Sequence, residues 1–260
     1  MDRWPIDSAL PRAALVTGGG KRLGRAMALA LGNAGFAVAV HYRGSAAEAE
    51  ATVMDLERRG VRAATVHADL AREHDTAGLI AAAAAAVGPL GVLVNNASMF
   101  ERDEWDTASR ASWDCHVEPN LRAPLVLAQA FARALPGSET GLVVNMLDQR
   151  VWSLTPHFTT YTMTKAALWA LTQSLALALA PRIRVNGIGP GPALPSARQS
   201  QAQFDRQCAS TPLGHGADPA ENGRALMAIL ALPSMTGQMI ALDGGQHLQW
   251  GAPRERGPEE

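Results

Sequence analysis

Short apolar runs alternate with longer helix-forming stretches along most of this chain. The apolar runs are rich in β-branched residues, and several lack alternation of apolar and polar positions, which is typical of strands covered on both faces. This pattern predicts strands at residues 13–17, 36–41, 61–67, 91–95, 141–146, 183–187 and 238–242. The intervening stretches predict helices over residues 22–34, 46–59, 72–87, 112–135, 158–179 and 219–232.

The order of these elements predicts an α/β fold. Parallel strands need helical crossovers, so the alternation favours one doubly wound parallel sheet of about seven strands with helices on both faces. No Ser/Gly-rich linker divides the chain, and we expect a single domain over residues 12–250 with tails at residues 1–11 and 251–260. The Pro/Gly/Ser-rich segment at residues 189–216 follows the carboxyl end of a predicted strand, where such sheets bind ligands. We expect it to be an irregular substrate loop.

The composition excludes several classes of protein. The 260 residues include 23 Lys and Arg against 24 Asp and Glu, a formal net charge of −1. This balance predicts no binding to nucleic acid or to an anionic membrane surface. No apolar run approaches the roughly 18 residues of a membrane span, and residues 1–11 lack the apolar core of a secretory signal. Cys115 and Cys208 form no disulfide framework, and we expect a cytoplasmic protein.

A glycine-rich loop follows the first predicted strand and precedes the first helix. It reads Thr17-Gly18-Gly19-Gly20-Lys21-Arg22-Leu23-Gly24. Glycines let the backbone approach a diphosphate, and the helix N-terminus offers unpaired N–H groups and the positive end of a dipole. The plainer alternative is an ordinary turn between strand and helix.

The end of the second predicted strand indicates which dinucleotide binds. NAD-binding folds place an acid here for the ribose 2′-hydroxyl, whereas an arginine suits the 2′-phosphate of NADP. The segment carries His41, Arg43 and Ser45, and the first acid is Glu48 in the next helix. Arg43 and Ser45, with His41, therefore predict NADP(H) as the cofactor, with a solvated surface arginine as the alternative.

Two features suggest where chemistry occurs. Tyr161 and Lys165 are four residues apart, so they are neighbours on one helical face, and a lysine there favours the phenolate. Asp148 follows the predicted strand at residues 141–146 and faces the same crevice. Tyr/Lys pairs at this spacing also arise by chance, so these two residues do not identify a site alone. Five of the seven histidines, His67, His116, His157, His215 and His247, are scattered without metal-ligand spacing, and we expect no metal.

Jointly and in order, these motifs resemble the short-chain dehydrogenase/reductase family over residues 12 to about 249. The matching landmarks are Thr17-Gly18 to Gly24, Asp69, Asn95-Asn96-Ala97, Asn120, Tyr161 with Lys165, Gly189-Pro190-Gly191 and Asp243-Gly244-Gly245. The resemblance implies a Rossmann-fold reductase domain, nicotinamide hydride transfer, a homotetramer, and a catalytic set of Tyr161, Lys165 and Asn120.

Two departures narrow the resemblance to the pteridine reductase branch, which includes dihydromonapterin reductase-like proteins. Arg22 stands where the general family has a glycine, and Asp148 stands where it has a catalytic serine. The segments at residues 17–24, 41–49, 95–100, 145–148, 161–168 and 183–191 are similar to that branch. By this resemblance Phe100 stacks on a pterin ring, Arg22 and Ser98 contact pterin and cofactor, and Asp148 and Tyr161 handle protons. It also places NADP(H) against Gly18, Lys21, Arg22, Leu23, Gly24, His41, Arg43, Ser45, Asp69, Leu70, Asn96, Ala97, Tyr161, Lys165, Pro190 and Gly191.

A physical argument agrees with this branch. A serine hydroxyl donates to the oxygen of a ketone as charge develops, whereas an ionised Asp148 would repel that oxyanion. A pterin C=N bond must instead gain a proton on nitrogen, and an aspartic acid coupled to Tyr161 suits that relay. The plainer interpretations are that Asp148 caps a turn, that Arg22 binds only diphosphate and that Phe100 only packs its loop.

These observations predict an NADPH-dependent reductase that converts a dihydropterin to a tetrahydropterin. The first alternative is a general carbonyl reductase or alcohol dehydrogenase acting on a small keto compound. The second is a non-catalytic NADP-binding sensor on the same fold. Fold class by itself does not separate them.

Overall fold

The computed structural model describes residues 5–196 and 198–249. Within these residues one sheet contains seven strands, all parallel, in the order β3-β2-β1-β4-β5-β6-β7. The strands are β1 (Ala13–Val16), β2 (Ala37–Tyr42), β3 (Ala63–His67), β4 (Val92–Asn95), β5 (Gly141–Met146), β6 (Ile183–Pro190) and β7 (Met239–Leu242). The predicted α/β class and the doubly wound parallel sheet are confirmed.

Helices cover both faces of the sheet. They are α1 (Arg22–Asn33), α2 (Ala46–Glu57), α3 (Glu73–Val87), α4 (Arg110–Val117), α5 (Ala123–Ala134), α6 (Thr159–Leu179), α7 (Gln201–Ala209) and α8 (Pro219–Ala231). Two separate apolar cores result, one under α1 and α8 and the other under α3 and α5. Central strands such as β4 and β5 are buried along their whole length, which explains why their sequences are largely apolar.

The single helix predicted over residues 112–135 is wrong in detail. A π-helical turn, Glu118–Arg122, separates α4 from α5. Pro119 and Pro124 lack the N–H that a regular helix would use at those points, so the hydrogen-bond ladder changes register there.

The segment at residues 189–216 is also more ordered than predicted. It contains α7, which begins with a capping box between Ser200 and Gln203. This Ser-x-x-Gln spacing is a helix-start signal that the sequence does carry. The helix has no buried residues, and its apolar periodicity was therefore too weak to reveal it.

The first described residues pack on the domain and do not form a loose tail. Leu10 is buried in the core under α1, and the Thr140 hydroxyl donates to the Asp7 carboxylate at 2.8 Å. The predicted tail at residues 251–260 lies outside the described residues.

Candidate active site

The carboxyl ends of the central strands border one crevice. β1 and β4 are neighbours, but their connections lead to opposite halves of the sheet, toward β2 and β5. Such a switch point is where open α/β sheets bind ligands. The predicted glycine loop lies at the end of β1, and the other predicted residues follow β2 to β6.

The glycine loop is built for close approach of a ligand to its backbone. Gly18 has a φ of +61°, and a side chain at Gly24 would collide with the Gly18 carbonyl and the Asn96 amide. That amide donates to the carbonyls of Thr17 at 2.8 Å and Gly18 at 3.2 Å. Thr17 Oγ1 in turn accepts from the N–H groups of Asn96 and Ala97. The loop therefore presents a fixed backbone in front of the first turn of α1, where N–H groups suit a diphosphate.

Arg22 adopts a backbone conformation that usually belongs to glycine. Its φ is +53°, a backbone conformation that suits glycine. The same conformation costs a residue with a side chain roughly 1–2 kcal/mol. Its guanidinium donates to the carbonyls of Pro195, at 2.8 Å, and Leu194, at 3.2 Å. Arg22 thus connects the glycine loop to the substrate loop. Its two neighbours are placed differently. Lys21 is exposed at the N-cap of α1, and Leu23 packs on the apolar core.

His41 was expected to contact the 2′-phosphate, but it lies buried behind the glycine loop. It is buried, and its Nδ1 accepts from the N–H of Gly18 at 3.0 Å while Nε2 lies 3.1 Å from the Ala68 carbonyl. Burial lowers the pKa of His41 to about 4, so the ring is neutral near pH 7. His41 therefore supports the loop backbone from behind and contributes no positive charge to a phosphate.

Arg43 and Ser45 lie together where β2 leads into α2. Arg43 is exposed, and Ser45 occupies the N-cap position of the helix. Asp69 and Leu70 follow β3 in the same region. The Asp69 carboxylate accepts from the Ala71 N–H at 3.1 Å, which shapes the turn, and Leu70 is buried. The structure thus brings these four predicted cofactor residues to the ends of two neighbouring strands.

Tyr161, Lys165 and Asp148 form one buried cluster. The Tyr161 hydroxyl donates to Asp148 Oδ2 at 2.9 Å. Lys165 Nζ donates to the Met146 carbonyl at 2.7 Å and lies 5.7 Å from the centre of the Tyr161 ring. Burial lowers the pKa of Lys165 to about 8, an effect that Asp148 partly offsets. The predicted pair and the predicted aspartate therefore meet as expected.

Arg150 is a functional candidate that sequence reasoning missed. Its guanidinium lies 3.1 Å from Asp148 Oδ2, and its backbone N–H donates to Asp148 Oδ1 at 2.8 Å. A carboxylate buried beside a phenol needs such a countercharge. A signal was present, because Arg150 is the nearest cation to Asp148 along the chain.

Asn120 sits in the π-helical turn and ties two parts of the site together. Its Oδ1 accepts from the Met99 N–H at 2.8 Å and from the Ser98 hydroxyl at 3.1 Å. Its Nδ2 donates to the Met99 carbonyl at 2.9 Å and faces Thr164 Oγ1 at 3.4 Å. Asn120 thus anchors the loop that carries Ser98 and Phe100 against the helix that carries Tyr161.

Phe100 packs in an aromatic group at the floor of the site. Its ring stacks on Phe158, with centroids 4.6 Å apart and planes inclined by 9°, and meets the Tyr161 ring edge-on at 4.6 Å. The Arg150 guanidinium lies 5.4 Å from the Phe100 and Phe158 ring centres. Phe158, with a φ of +57°, is a second residue that the sequence did not reveal. One face of the Phe100 ring is therefore covered by Phe158.

A cavity of about 190 Å³ collects the predicted substrate residues. Arg22, Phe100, Asp148 and Tyr161 line it, with Arg150, Pro190 and Gly191. Ser98, also predicted to contact substrate, is not among the residues that line it, and its hydroxyl donates to Asn120 Oδ1. A larger groove of about 600 Å³ runs between α1 and α8 and includes Arg22, but its other walls carry none of the predicted catalytic residues. Of these two cavities, the smaller one therefore contains the predicted Asp148 and Tyr161.

Across residues 5–196 and 198–249, His, Cys, Asp and Glu side chains form no group of three that could hold a metal ion. Within the same ranges, no helix combines the length and apolar character needed to cross a membrane.

Residues 12–206 match the family model of the short chain dehydrogenases. The chain belongs to the short-chain dehydrogenase family. The resemblance inferred from the motifs is therefore confirmed. The match spans the glycine loop, Asn120, Tyr161 and Lys165.

Relatives with curated names are short-chain dehydrogenases of similar length. An uncharacterized oxidoreductase of Mycobacterium tuberculosis is 35% identical, with 94% of each chain covered. The 3-oxoacyl-[acyl-carrier-protein] reductase FabG of Staphylococcus aureus is 29% identical over 92% of this chain and 99% of the relative.

Solved structures of this short-chain dehydrogenase fold are more similar still. The FolM alternative dihydrofolate reductase 1 of Brucella suis, in complex with NADP, is 47% identical, with a TM-score of 0.90 over 94% of this chain and 97% of that chain. The corresponding protein of Brucella canis, complexed with NADP, is 46% identical, with a TM-score of 0.88 over 93% and 96%.

Proposed function

We propose that this chain is an NADPH-dependent reductase of a pteridine, which converts a dihydropterin to a tetrahydropterin. The observation that carries the proposal is the hydrogen bond between Tyr161 and Asp148 inside a cavity that Arg22 and Phe100 also line. The similarity to two FolM alternative dihydrofolate reductases with NADP supports the same substrate class and cofactor.

The residues present fit NADP(H). The backbone around Gly18 and Gly24 leaves no room for side chains, as a diphosphate cradle requires. Arg43 is exposed at the end of β2, where it can pair with a 2′-phosphate. Lys165 and Tyr161 would hold the nicotinamide half, and bound NADPH would supply the hydride. Asp69, Leu70, Asn96, Ala97, Pro190 and Gly191 would complete the cofactor site.

Proton transfer falls to Tyr161 and its neighbours. The phenol is the group in the cavity with a transferable hydrogen, and Asp148 orients it by accepting that hydrogen bond. The buried Lys165 ammonium, 5.7 Å from the ring, stabilises the phenolate that remains after the proton has moved to a pterin nitrogen. The Arg150 guanidinium contacts the same Asp148 oxygen, at 3.1 Å. Asp148 therefore orients Tyr161, the proton reaches the substrate from the phenol, and a proton from solvent restores the phenol after the reaction.

The test is NADPH oxidation by purified protein, followed by loss of NADPH absorbance. Dihydrobiopterin, dihydromonapterin and dihydrofolate are compared with a panel of small ketones. We expect turnover of a dihydropterin and little or none of the ketones. Turnover of ketones without turnover of any pterin would refute the proposal.

A carbonyl reductase is the second candidate, favoured by the similarity to FabG. Asp148 argues against it, because a carboxylate beside the phenol opposes negative charge on a ketone oxygen. Under this alternative Asp148→Ser should raise ketone turnover, whereas under the pteridine proposal the same change removes pterin turnover. A non-catalytic sensor, the third candidate, conflicts with the assembled Tyr161, Lys165 and Asn120, and any turnover eliminates it.

Two further proposals concern the oligomeric state and the cellular location. We infer a homotetramer from the family resemblance. Exposed apolar side chains on α4 and α6, such as Trp113 and Leu177, would pack in its interfaces. Sedimentation equilibrium tests it, and a monomer at micromolar concentration would contradict it. We infer a cytoplasmic location from two free cysteines, Cys115 and Cys208, which suit a reducing compartment.

A further inference from the structure

His116 is fully buried in α4, and its two ring nitrogens face two different segments of the site. The Glu101 N–H donates to Nε2 at 2.9 Å, so Nε2 is an acceptor and Nδ1 carries the hydrogen. Nδ1 lies 2.7 Å from Thr160 Oγ1 and 3.0 Å from the Ser112 carbonyl. These contacts define a neutral imidazole in one tautomer.

Asp103 receives the other end of this chain of hydrogen bonds. The Thr160 hydroxyl donates to Asp103 Oδ2 at 2.6 Å, and the Thr160 N–H donates to Oδ1 at 3.1 Å. Burial alone would raise the pKa of Asp103, but the hydrogen bonds from Thr160 outweigh it and the pKa lies below the ordinary value. The N-cap residue of α6 is Phe158, whose side chain cannot accept a hydrogen bond. The Asp103 carboxylate, from a loop distant along the chain, caps that helix instead.

These hydrogen bonds connect Glu101 to Asp103 through His116 and Thr160, with the Ser112 carbonyl as a second acceptor near His116 Nδ1. Glu101 follows Phe100, and Thr160 precedes Tyr161. The chain thus links the loop that carries the aromatic floor to the helical turn that carries the proton donor. The Phe100 and Tyr161 rings themselves meet edge-on, at 71°.

We propose that His116 and Thr160 are positioning residues that set the Tyr161 hydroxyl relative to Phe100 and the substrate ring. They touch neither substrate nor cofactor, and they act by holding loop and helix in one hydrogen-bond register. The kinetic consequences of this inference rest on the proposed reductase function. The geometric claim does not.

The Nδ1–H tautomer makes these hydrogen bonds sensitive to protonation of His116. A hydrogen added at Nε2 of His116 would face the Glu101 N–H, so two donors would oppose each other and the loop contact would break. Three groups face the ring: the Asp103 carboxylate, which Thr160 links to it, the Glu101 carboxylate, and the Tyr161 ring, whose centre is 6.1 Å away. Burial lowers the pKa of His116 and so protects the neutral form.

The kinetic experiment compares Thr160→Val with Thr160→Ser in the full chain. Valine keeps the shape and removes the hydroxyl, whereas serine keeps the hydroxyl. With dihydrobiopterin and NADPH we expect kcat to fall about tenfold to a hundredfold in Thr160→Val and to be largely retained in Thr160→Ser. The Kd for NADPH, measured by fluorescence, should stay the same in both. Equal kcat values in two folded variants would overturn the proposal.

A second measurement needs neither turnover nor a stable valine variant. Nitrogen NMR of the wild-type imidazoles, with the His116 signals assigned by their loss in His116→Gln, should show the neutral Nδ1–H tautomer. That tautomer should persist at about pH 6.5, where an ordinary histidine is half protonated. The opposite tautomer, or half-protonation of His116 at about pH 6.5 or above, would refute the geometric claim.

Failure of the proposed function is distinguishable from failure of this inference. If wild-type protein reduces no dihydropterin, the reductase proposal fails, and the Thr160 variants are compared through the Tyr161 ring signals. The chain has two tyrosines, Tyr42 and Tyr161, so these signals are readily assigned. They should shift in Thr160→Val and not in Thr160→Ser. Unchanged signals in both variants would overturn the positioning role.

Discussion

The Tyr161 hydroxyl and the Arg150 guanidinium converge on the same oxygen of Asp148, at 2.9 and 3.1 Å. Asp148 Oδ2 therefore accepts from both groups and orients the phenol. Arg150 was not among the residues that the sequence pattern predicted for the site.

Asp148→Asn should separate catalysis from cofactor binding. The amide keeps the shape but removes the charge that orients Tyr161, so we expect kcat with a dihydropterin to fall about a hundredfold. The Kd for NADPH should change less than about twofold, since Asp148 lies on the substrate side. Steady-state kinetics and fluorescence titration measure the two quantities.

The same variant should be less stable, because the largely buried ion pair between Asp148 and Arg150 would be lost. We expect the free energy of unfolding to fall by about 3 kcal/mol in urea titrations. Asp114→Asn is the matched control, since Asp114 pairs with Arg110 on the exposed face of α4 and should change little. A fully active, fully stable Asp148→Asn variant would contradict the role assigned to the ion pair.

Arg43→Ala should reduce the preference for NADPH over NADH. Loss of a charge-assisted contact to the 2′-phosphate should lower kcat/KM for NADPH about thirtyfold and leave NADH unaffected. Arg58→Ala provides the control, because Arg58 is equally a surface arginine near α2 but pairs with Asp55. An unchanged cofactor ratio in Arg43→Ala would show that Arg43 is only a solvated side chain.

Stability should decrease in mild acid because of His41. Burial lowers the pKa of His41 from 6.5 to about 4, so between these values the unfolded chain binds a proton that the folded chain excludes. The free energy of unfolding therefore falls as the pH falls from 6.5 toward 4, by up to about 3 kcal/mol from this residue.

Urea titrations of wild type and His41→Gln at pH 7 and pH 5 test this effect. Glutamine can still accept from Gly18 and donate to Ala68 but does not titrate. The wild type should lose more stability than the variant between the two pH values. Identical losses would show that His41 is not the group responsible.

Gly24→Ala should damage the cofactor loop. The added methyl group would collide with the Gly18 carbonyl and the Asn96 amide. We expect about tenfold weaker NADPH binding and a loss of about 2 kcal/mol of stability from overpacking. Gly78→Ala is the matched control, since Gly78 lies on the exposed face of α3 with open space around it and should gain up to about 1 kcal/mol. NADPH binding and urea titration measure both variants.

Local patterns in the sequence were sufficient for the architecture and for the cofactor loop. Strand–helix alternation predicted the parallel sheet because buried strands and crossover helices each leave a periodic signature within one segment. The glycine loop, and Tyr161 with Lys165, were visible for the same reason, since their partners lie within a few positions of each other. The order of these motifs then predicted the family.

The tertiary structure decided the contacts between segments that are distant along the chain. Phe100 against Phe158, and Thr160 against His116 and Asp103, join residues whose separation along the chain is 44 or more. Such contacts depend on how crossovers stack at the strand ends, which no periodicity within a segment reports. The burial of His41 follows from the same packing. The sequence by itself therefore determined the fold and where the cofactor loop lies, and the packing of its segments decided how the reacting groups are aimed.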